Sequence, residues 1–200
     1  MCTFSSVSGP AENALPDVFT YGDARARGLS DRALYEQRDA GRIEAIGRGL
    51  YQRTDAEPAA DLDLIEIALR APQATLCLTS ALSRHELTDL IPSSIDIALP
   101  RGQRKPRTQA VVAWHLFQAS TFTIGRHELD IDGHQIGIYT PERCIVDAFR
   151  LRRFEGPELG NTALRTWLRQ PHTKPATLLA IAAHFPNAEK ALLQALEVLL

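Results

Sequence analysis

Between Phe19 and Arg53 the apolar and polar positions change rhythm twice, and the changes mark two short helices followed by a hairpin. Thr20, with Asp23 three residues on, forms a capping box that opens an alanine-rich turn through Ala24 and Ala26, which Gly28 closes. Leu29 plugs the turn toward a core. Ser30 offers its hydroxyl to the free amides of a second helix that runs to about Ala40, with Gly41 as its left-handed stop. Beyond it Ile43 and Ala45 alternate with Arg42 and Glu44, the chain breaks at Gly47-Arg48-Gly49, and Leu50 and Tyr51 resume. The pattern predicts a helix-turn-helix followed by a two-stranded wing with one arginine at its tip.

The remaining pattern mixes the two periods. Leu62, Ile65 and Leu69, with Ile67 and Ala68 around them, have helical spacing closed by Pro72. Residues 75–78 read as a short buried strand, Thr79 as the cap of a helix over 80–87, and 93–100 and 110–117 as strands. Residues 127–140 read as a hairpin turning on Asp132-Gly133. Thr140 caps and Pro141 opens a helix that places Ile145, Val146 and Phe149 on one face, leaving Arg143, Arg150 and Arg153, with Arg152 nearby, on a solvated flank. Helices follow over 157–168, 177–184 and 188–200, divided by Pro171, Pro175 and Pro186. The apolar tail is expected to pack within the chain, with a dimer seam as its rival.

The expected fold is α/β (α+β): a winged helix-turn-helix followed by a mixed-sheet α/β domain with a helical C-terminal end. Residues 1–16, rich in Ser, Ala, Gly and Pro, read as a flexible arm, 17–55 as the winged unit and 56–200 as the second domain, after an acidic stretch at 54–61. A 44% hydrophobic content supplies real cores, and a net charge of −2 excludes a surface built throughout for nucleic acid. With no bilayer-length apolar run and no basic-then-apolar leader, the expected location is cytoplasmic. Cys2, Cys77 and Cys144 lack C-x-x-C spacing, so Cys77 and Cys144 read as small buried apolar groups.

Candidate chemistry follows from a helical wheel. With Leu34 in the core, Arg32, Tyr35, Glu36 and Asp39 face outward and Arg38 lies beside the core stripe. An arginine can bond guanine edges, a tyrosine can reach phosphate or a thymine methyl, and a carboxylate can accept from cytosine, so this face is equipped to read bases. Ser30 at the helix start, Arg42 and Arg53 flanking the hairpin and Arg48 at its tip complete the expected DNA-binding set. Residues 20–53 hold seven arginines against five acids, a surplus of two, which argues for a homodimer or cooperative binding to reach useful affinity. Arg101, Arg104, Lys105 and Arg107 form a second basic patch that can extend a phosphate footprint, meet an acidic partner, or simply stay solvated.

The segments GRGLY, SDRALYEQRDAG, LCLTSALSRHELTD, IDIALPRGQRKPR and IDGHQIGIYTPERCIVDAFRLR, in that mixed set and across about residues 18 to 155, resemble AbiEi-type proteins, the antitoxins and transcriptional regulators of type IV toxin-antitoxin systems. The resemblance implies a winged-helix domain that represses its own operon through inverted repeats near the promoter. It also implies an α/β domain that contributes to neutralising a nucleotidyltransferase-like toxin, touched directly or counteracted indirectly.

Two other classes stay open on the residues: a docking module without DNA contact, and a metal-dependent nuclease built on Glu128, His127, Asp130, Asp132 and His134. The spacing argues against the second, because Asp-Gly already accounts for Asp132 and the strands at 111–117 and 135–139 bring neither a further acid nor a lysine. G-x-S-x-G, Walker A and H-E-x-x-H motifs are absent, and His85 reads as a capping or core histidine. No catalytic residue, metal or cofactor is expected.

Overall fold

Thr20 sets the first element in place. The computed structural model describes residues 15–59, 61–171 and 173–199, so the expected arm, apart from Leu15 and Pro16, lies outside the described residues together with Cys2. Strand β1 (Val18–Thr20) runs straight into α1 (Tyr21–Ala26), where the Thr20 hydroxyl accepts from the Asp23 amide and the Asp23 carboxylate accepts from the Thr20 amide. Ser30 caps α2 (Asp31–Asp39) through the Ala33 amide. Strands β2 (Ile43–Gly47) and β3 (Leu50–Arg53) then form the hairpin, and the three strands make an antiparallel sheet in the order β1-β3-β2.

Strand alternation gives this small sheet two buried faces. Phe19, paired with Tyr51, turns toward Leu15, Ala24, Leu29, Leu34 and Ile43 under the two helices. Val18 and Leu50 point the other way, into the main core of the molecule. The segment after β3 is brought down by Thr54, whose hydroxyl donates to the carbonyls of Gly41 and Arg42. Helix α3 (Leu62–Arg70) follows, capped by Asp61, and packs on β1. Its buried positions are Leu64, Ile65, Glu66, Ile67 and Ala68, and Leu62, expected on the inner stripe, is 37% exposed at the first turn. The broader inner face reflects covering on two sides, because α3 also packs on a second sheet.

That sheet has the order β6-β5-β4-β8-β7. Strand β4 (Thr75–Leu76) pairs antiparallel with β5 (Ile95–Pro100) and parallel with β8 (His134–Tyr139); β5 pairs parallel with β6 (Val112–Phe117), and β7 (Arg126–Ile131) antiparallel with β8. It is therefore mixed. Asp132 and Gly133 both take positive φ, 49° and 80°, as a two-residue hairpin turn demands. At Gly137 a Cβ would lie 2.5 Å from the Thr75 hydroxyl and 2.6 Å from Arg126 Nε, so only glycine lets Arg126 on β7 cross β8 to bond Thr75 on β4. The strand expected over 75–78 stops at Leu76. Helix α4 (Leu78–Arg84) starts directly after it with Cys77 at the cap position, which puts Thr79 inside the helix instead of capping it.

After α5 (Ala119–Phe122), the hub of the second layer is α6 (Pro141–Arg150), capped by Thr140, on which α4 packs, as do α8 (Pro157–Arg169), α9 (Pro175–Ala182) and α10 (Pro186–Leu199). The short α7 (Arg152–Glu155) links α6 to α8. The tail buries Leu192 and Leu196 inward, while Leu193 and Val198 stay exposed. None of the helices among the described residues is long and apolar enough to cross a membrane.

The structure corrects the expected flank of α6. Arg143 is fully buried, not solvated: Nε donates to Asp147 at 2.9 Å, and Nη1 donates to the Thr121 and Ile124 carbonyls. The rings of Tyr139 and Phe185 lie 4.4 Å from its guanidinium carbon. Arg150 is largely covered and shares Asp147 through Nε at 3.0 Å, whereas Arg153 is exposed as expected. A period of 3.6 places Arg143 and Asp147 on one face, and pairing lets both enter the interior.

Glu66 is another buried acid that organises the fold. One carboxylate oxygen accepts from the Gln109 and Ala110 amides at 2.8 and 3.2 Å, and the other from Arg70 Nε at 2.8 Å.

Two stability predictions follow from these acids. Asp147→Asn removes the countercharge of two largely buried guanidiniums and is expected to cost about 3–5 kcal/mol in urea unfolding; an unchanged midpoint would contradict the ion-pair account. Glu66→Gln leaves one acceptor for three donors, so a loss of about 2 kcal/mol is expected, with faster hydrogen exchange at the Gln109 and Ala110 amides. Unchanged exchange there would show that Glu66 does not hold the loop.

Candidate nucleic-acid interface

Helix α2 stands with Leu34 buried at 2% exposure and its opposite side open: Ser30, Arg32, Tyr35, Glu36, Arg38 and Asp39 are all exposed. Arg38, expected beside the core stripe, lies out with them. The charges on this face are paired among themselves. Arg32 Nε donates to Glu36 at 2.7 Å, and Arg38 bonds Asp39 and lies over the Tyr35 ring at 5.0 Å. Arg42, just past the helix, donates to the Gln37 side chain. Arg53 makes a two-pronged bond to Asp55, which holds that carboxyl below its ordinary range. The hairpin register sets Ile43 opposite Arg53, so Arg42 and Arg53 sit at its base and Arg48 at its far end.

The tip is tied to both helices through one residue, Tyr21. The Tyr21 amide donates to the Gly49 carbonyl at 2.9 Å, and its hydroxyl donates to Asp31 at the start of α2 at 2.6 Å. That hydrogen bond raises the Tyr21 pKa. The Arg48 carbonyl accepts from Arg70 Nη2 at 2.8 Å while the Arg48 side chain stays exposed. The wing is thus held by its backbone and leaves its cation outside.

The basic loop between β5 and β6 comes to meet this tip. Arg101, Arg104, Lys105 and Arg107 are exposed on irregular backbone, and the Gln109 side chain lies against Gly47, where an added Cβ would be 3.3 Å from its amide nitrogen. Between loop and tip runs a cleft of about 800 Å³, lined by Arg48, Arg70, Arg104, Lys105 and Arg107 with no carboxylate. The structure therefore brings together two basic groups that lie some fifty residues apart in the chain. Arg101 is not part of this lining. Arg70 is, and sequence reasoning missed it; the available signal was Glu66 four residues before it, which fixes where its guanidinium points.

The remaining candidates hold structural bonds. Asp130 accepts from the Gly133 amide and the Gln135 side chain, and among the described residues no three His, Cys, Asp or Glu side chains are grouped to hold a metal. His85 Nε2 lies 2.8 Å from the Tyr139 carbonyl. Cys77 and Cys144 are fully buried, and burial pushes both thiols up.

The whole fold is similar to that of the RV2827C protein from Mycobacterium tuberculosis, a crystal structure that matches with a TM-score of 0.50 and 19% identity over 86% of this chain and 78% of that one. At that identity the likeness speaks for the fold alone. No curated protein matches the sequence. Residues 14–54, the stretch that carries α1, α2 and the wing, match the model of the family described as transcriptional regulator, AbiEi antitoxin.

Proposed function

We propose that the protein is a DNA-binding transcriptional repressor and antitoxin of a type IV toxin-antitoxin system, acting in the cytoplasm on inverted repeats in its own promoter. The observation that carries this reading is the cleft between the wing tip and the 104–107 loop, lined by cations without a carboxylate, on a molecule whose helix α2 keeps its outer face exposed. Helix α2 enters the major groove with Arg32, Tyr35, Glu36 and Asp39 toward base edges. Arg48, Arg104, Lys105 and Arg107 take the phosphates of the flanking backbone. The self-paired charges on α2 keep attraction modest, so two copies on a repeated site supply the affinity. Its role is binding, without catalysis or cofactor, and the partner whose action it opposes is a nucleotidyltransferase-like toxin.

Gel shifts of a fragment of its own promoter across a salt series test this. Lys105→Ala and Arg48→Ala are each expected to weaken binding and to lower the salt slope by roughly 0.9 for every phosphate left without its cation. Arg32→Ala is expected to relax base discrimination by roughly tenfold with little change in slope. Binding that is blind to salt and to all three variants would favour the docking-module reading.

A further inference from the structure

At the start of that loop Arg101 lines a different pocket, of about 350 Å³. Its other polar walls are Arg150, Gln118, Thr121, His184 and Asn187, and no carboxylate is among them. Phe185 closes the floor. Beneath that floor lies the buried Arg143, and Arg150 stands beside it in the wall: the Phe185 ring is 4.4 Å from the Arg143 guanidinium carbon and 5.6 Å from that of Arg150. Thr121, another lining residue, gives its carbonyl to Arg143.

The charge beneath this pocket does not balance. Arg143 and Arg150 share the single carboxylate of Asp147, whose two oxygens are both taken, one by each Nε. One positive charge remains in surplus, and the two guanidiniums lie against the faces of the Phe117, Tyr139 and Phe185 rings. Arg143 Nη2 is buried with no hydrogen-bond partner among the described residues, a costly arrangement in the interior. Arg101 adds a second positive charge at the mouth. The pocket wall also contains Pro186 and Asn187, the first residues of the fourteen-residue α10, whose positive end therefore opens into the same space. The Arg101 and Arg150 guanidiniums, the side-chain amides of Gln118 and Asn187 and the Thr121 hydroxyl line the pocket above the surplus charge of Arg143, a set suited to a dianion, and a phosphate monoester carries about −1.5 to −2 at pH 7.

We propose that this pocket binds the phosphoryl group of a small molecule, a ligand site separate from the cleft under the wing. Calorimetry on the full chain with inorganic phosphate and with ribose 5-phosphate tests it, ribose serving as the phosphate-free comparison. Phosphate and ribose 5-phosphate are expected to bind and ribose is not; tighter binding of the ester identifies a phosphorylated metabolite, and equal binding identifies free phosphate. Arg101→Glu and Asn187→Asp both lie on exposed positions that the fold does not need, and each is expected to weaken binding tenfold or more. Arg153→Ala, an exposed arginine outside the pocket, is expected to leave it unchanged. No heat with either phosphate, or binding indifferent to Arg101→Glu and Asn187→Asp, overturns the proposal. So does displacement of phosphate by duplex DNA, which would make the pocket part of a nucleic-acid surface.

Discussion

A single buried carboxylate, that of Glu66, holds the wing and the basic loop in one register. It receives the amides of Gln109 and Ala110 at the end of the loop and the guanidinium of Arg70 on its own helix. Arg70 passes the constraint on to the wing through the Arg48 carbonyl. A buried carboxylate with fewer partners would carry a large desolvation penalty, so each of these bonds is strongly demanded by the others. The cleft between tip and loop is consequently formed in advance of any ligand. Arg70 is held by its ion pair with Glu66, and Arg48 and the loop cations are kept beside it by backbone bonds that do not use their own charges.

The electrostatics of the two halves of the candidate interface differ in kind. On α2 every outward arginine has an acid within reach, and such exposed pairs contribute little to folding because water screens them and the side chains lose freedom. What they do change is the cost of engaging a polyanion: Glu36 and Asp39 repel phosphate wherever they are not matched to a donor on a base. The cleft carries no such penalty. A surface built this way separates the two tasks, with general attraction placed on the wing and loop and discrimination placed on the helix.

How much of this was legible in the chain depends on the range of the interaction. The caps at Thr20, Ser30 and Thr140, the Asp132-Gly133 turn and the Gly-Arg-Gly tip are local, each decided by residues within four positions, and each is visible in the sequence. Arg143 is different. Its burial depends on Thr121, Ile124, Tyr139 and Phe185, which only the tertiary fold brings to it, and on a wheel it looks like any solvated arginine. Cys77 replaces Thr79 at the start of α4 for a similar reason: the helix begins where β4 delivers the chain, and packing of Leu78 in the core outweighs the hydroxyl cap. The convergence of Arg48 with Arg104, Lys105 and Arg107 rests on Glu66 and Gln109, and neither residue announces a partner so distant along the chain.

The small sheet explains why that convergence is stable. Phe19 and Tyr51 face one core while Val18 and Leu50 face the other, so β1 and β3 belong to both at once. A helix-turn-helix on a flexible linker would sample many orientations relative to a distant basic loop, and its binding would lose the entropy of fixing them. Here the strand period of two has turned the hairpin into a shared wall. Tilting α2 against the loop would require exposing apolar side chains on one face or the other, and close-packed interiors resist such sliding. The exposed face of α2 and the cations of the cleft are therefore presented as one rigid outline.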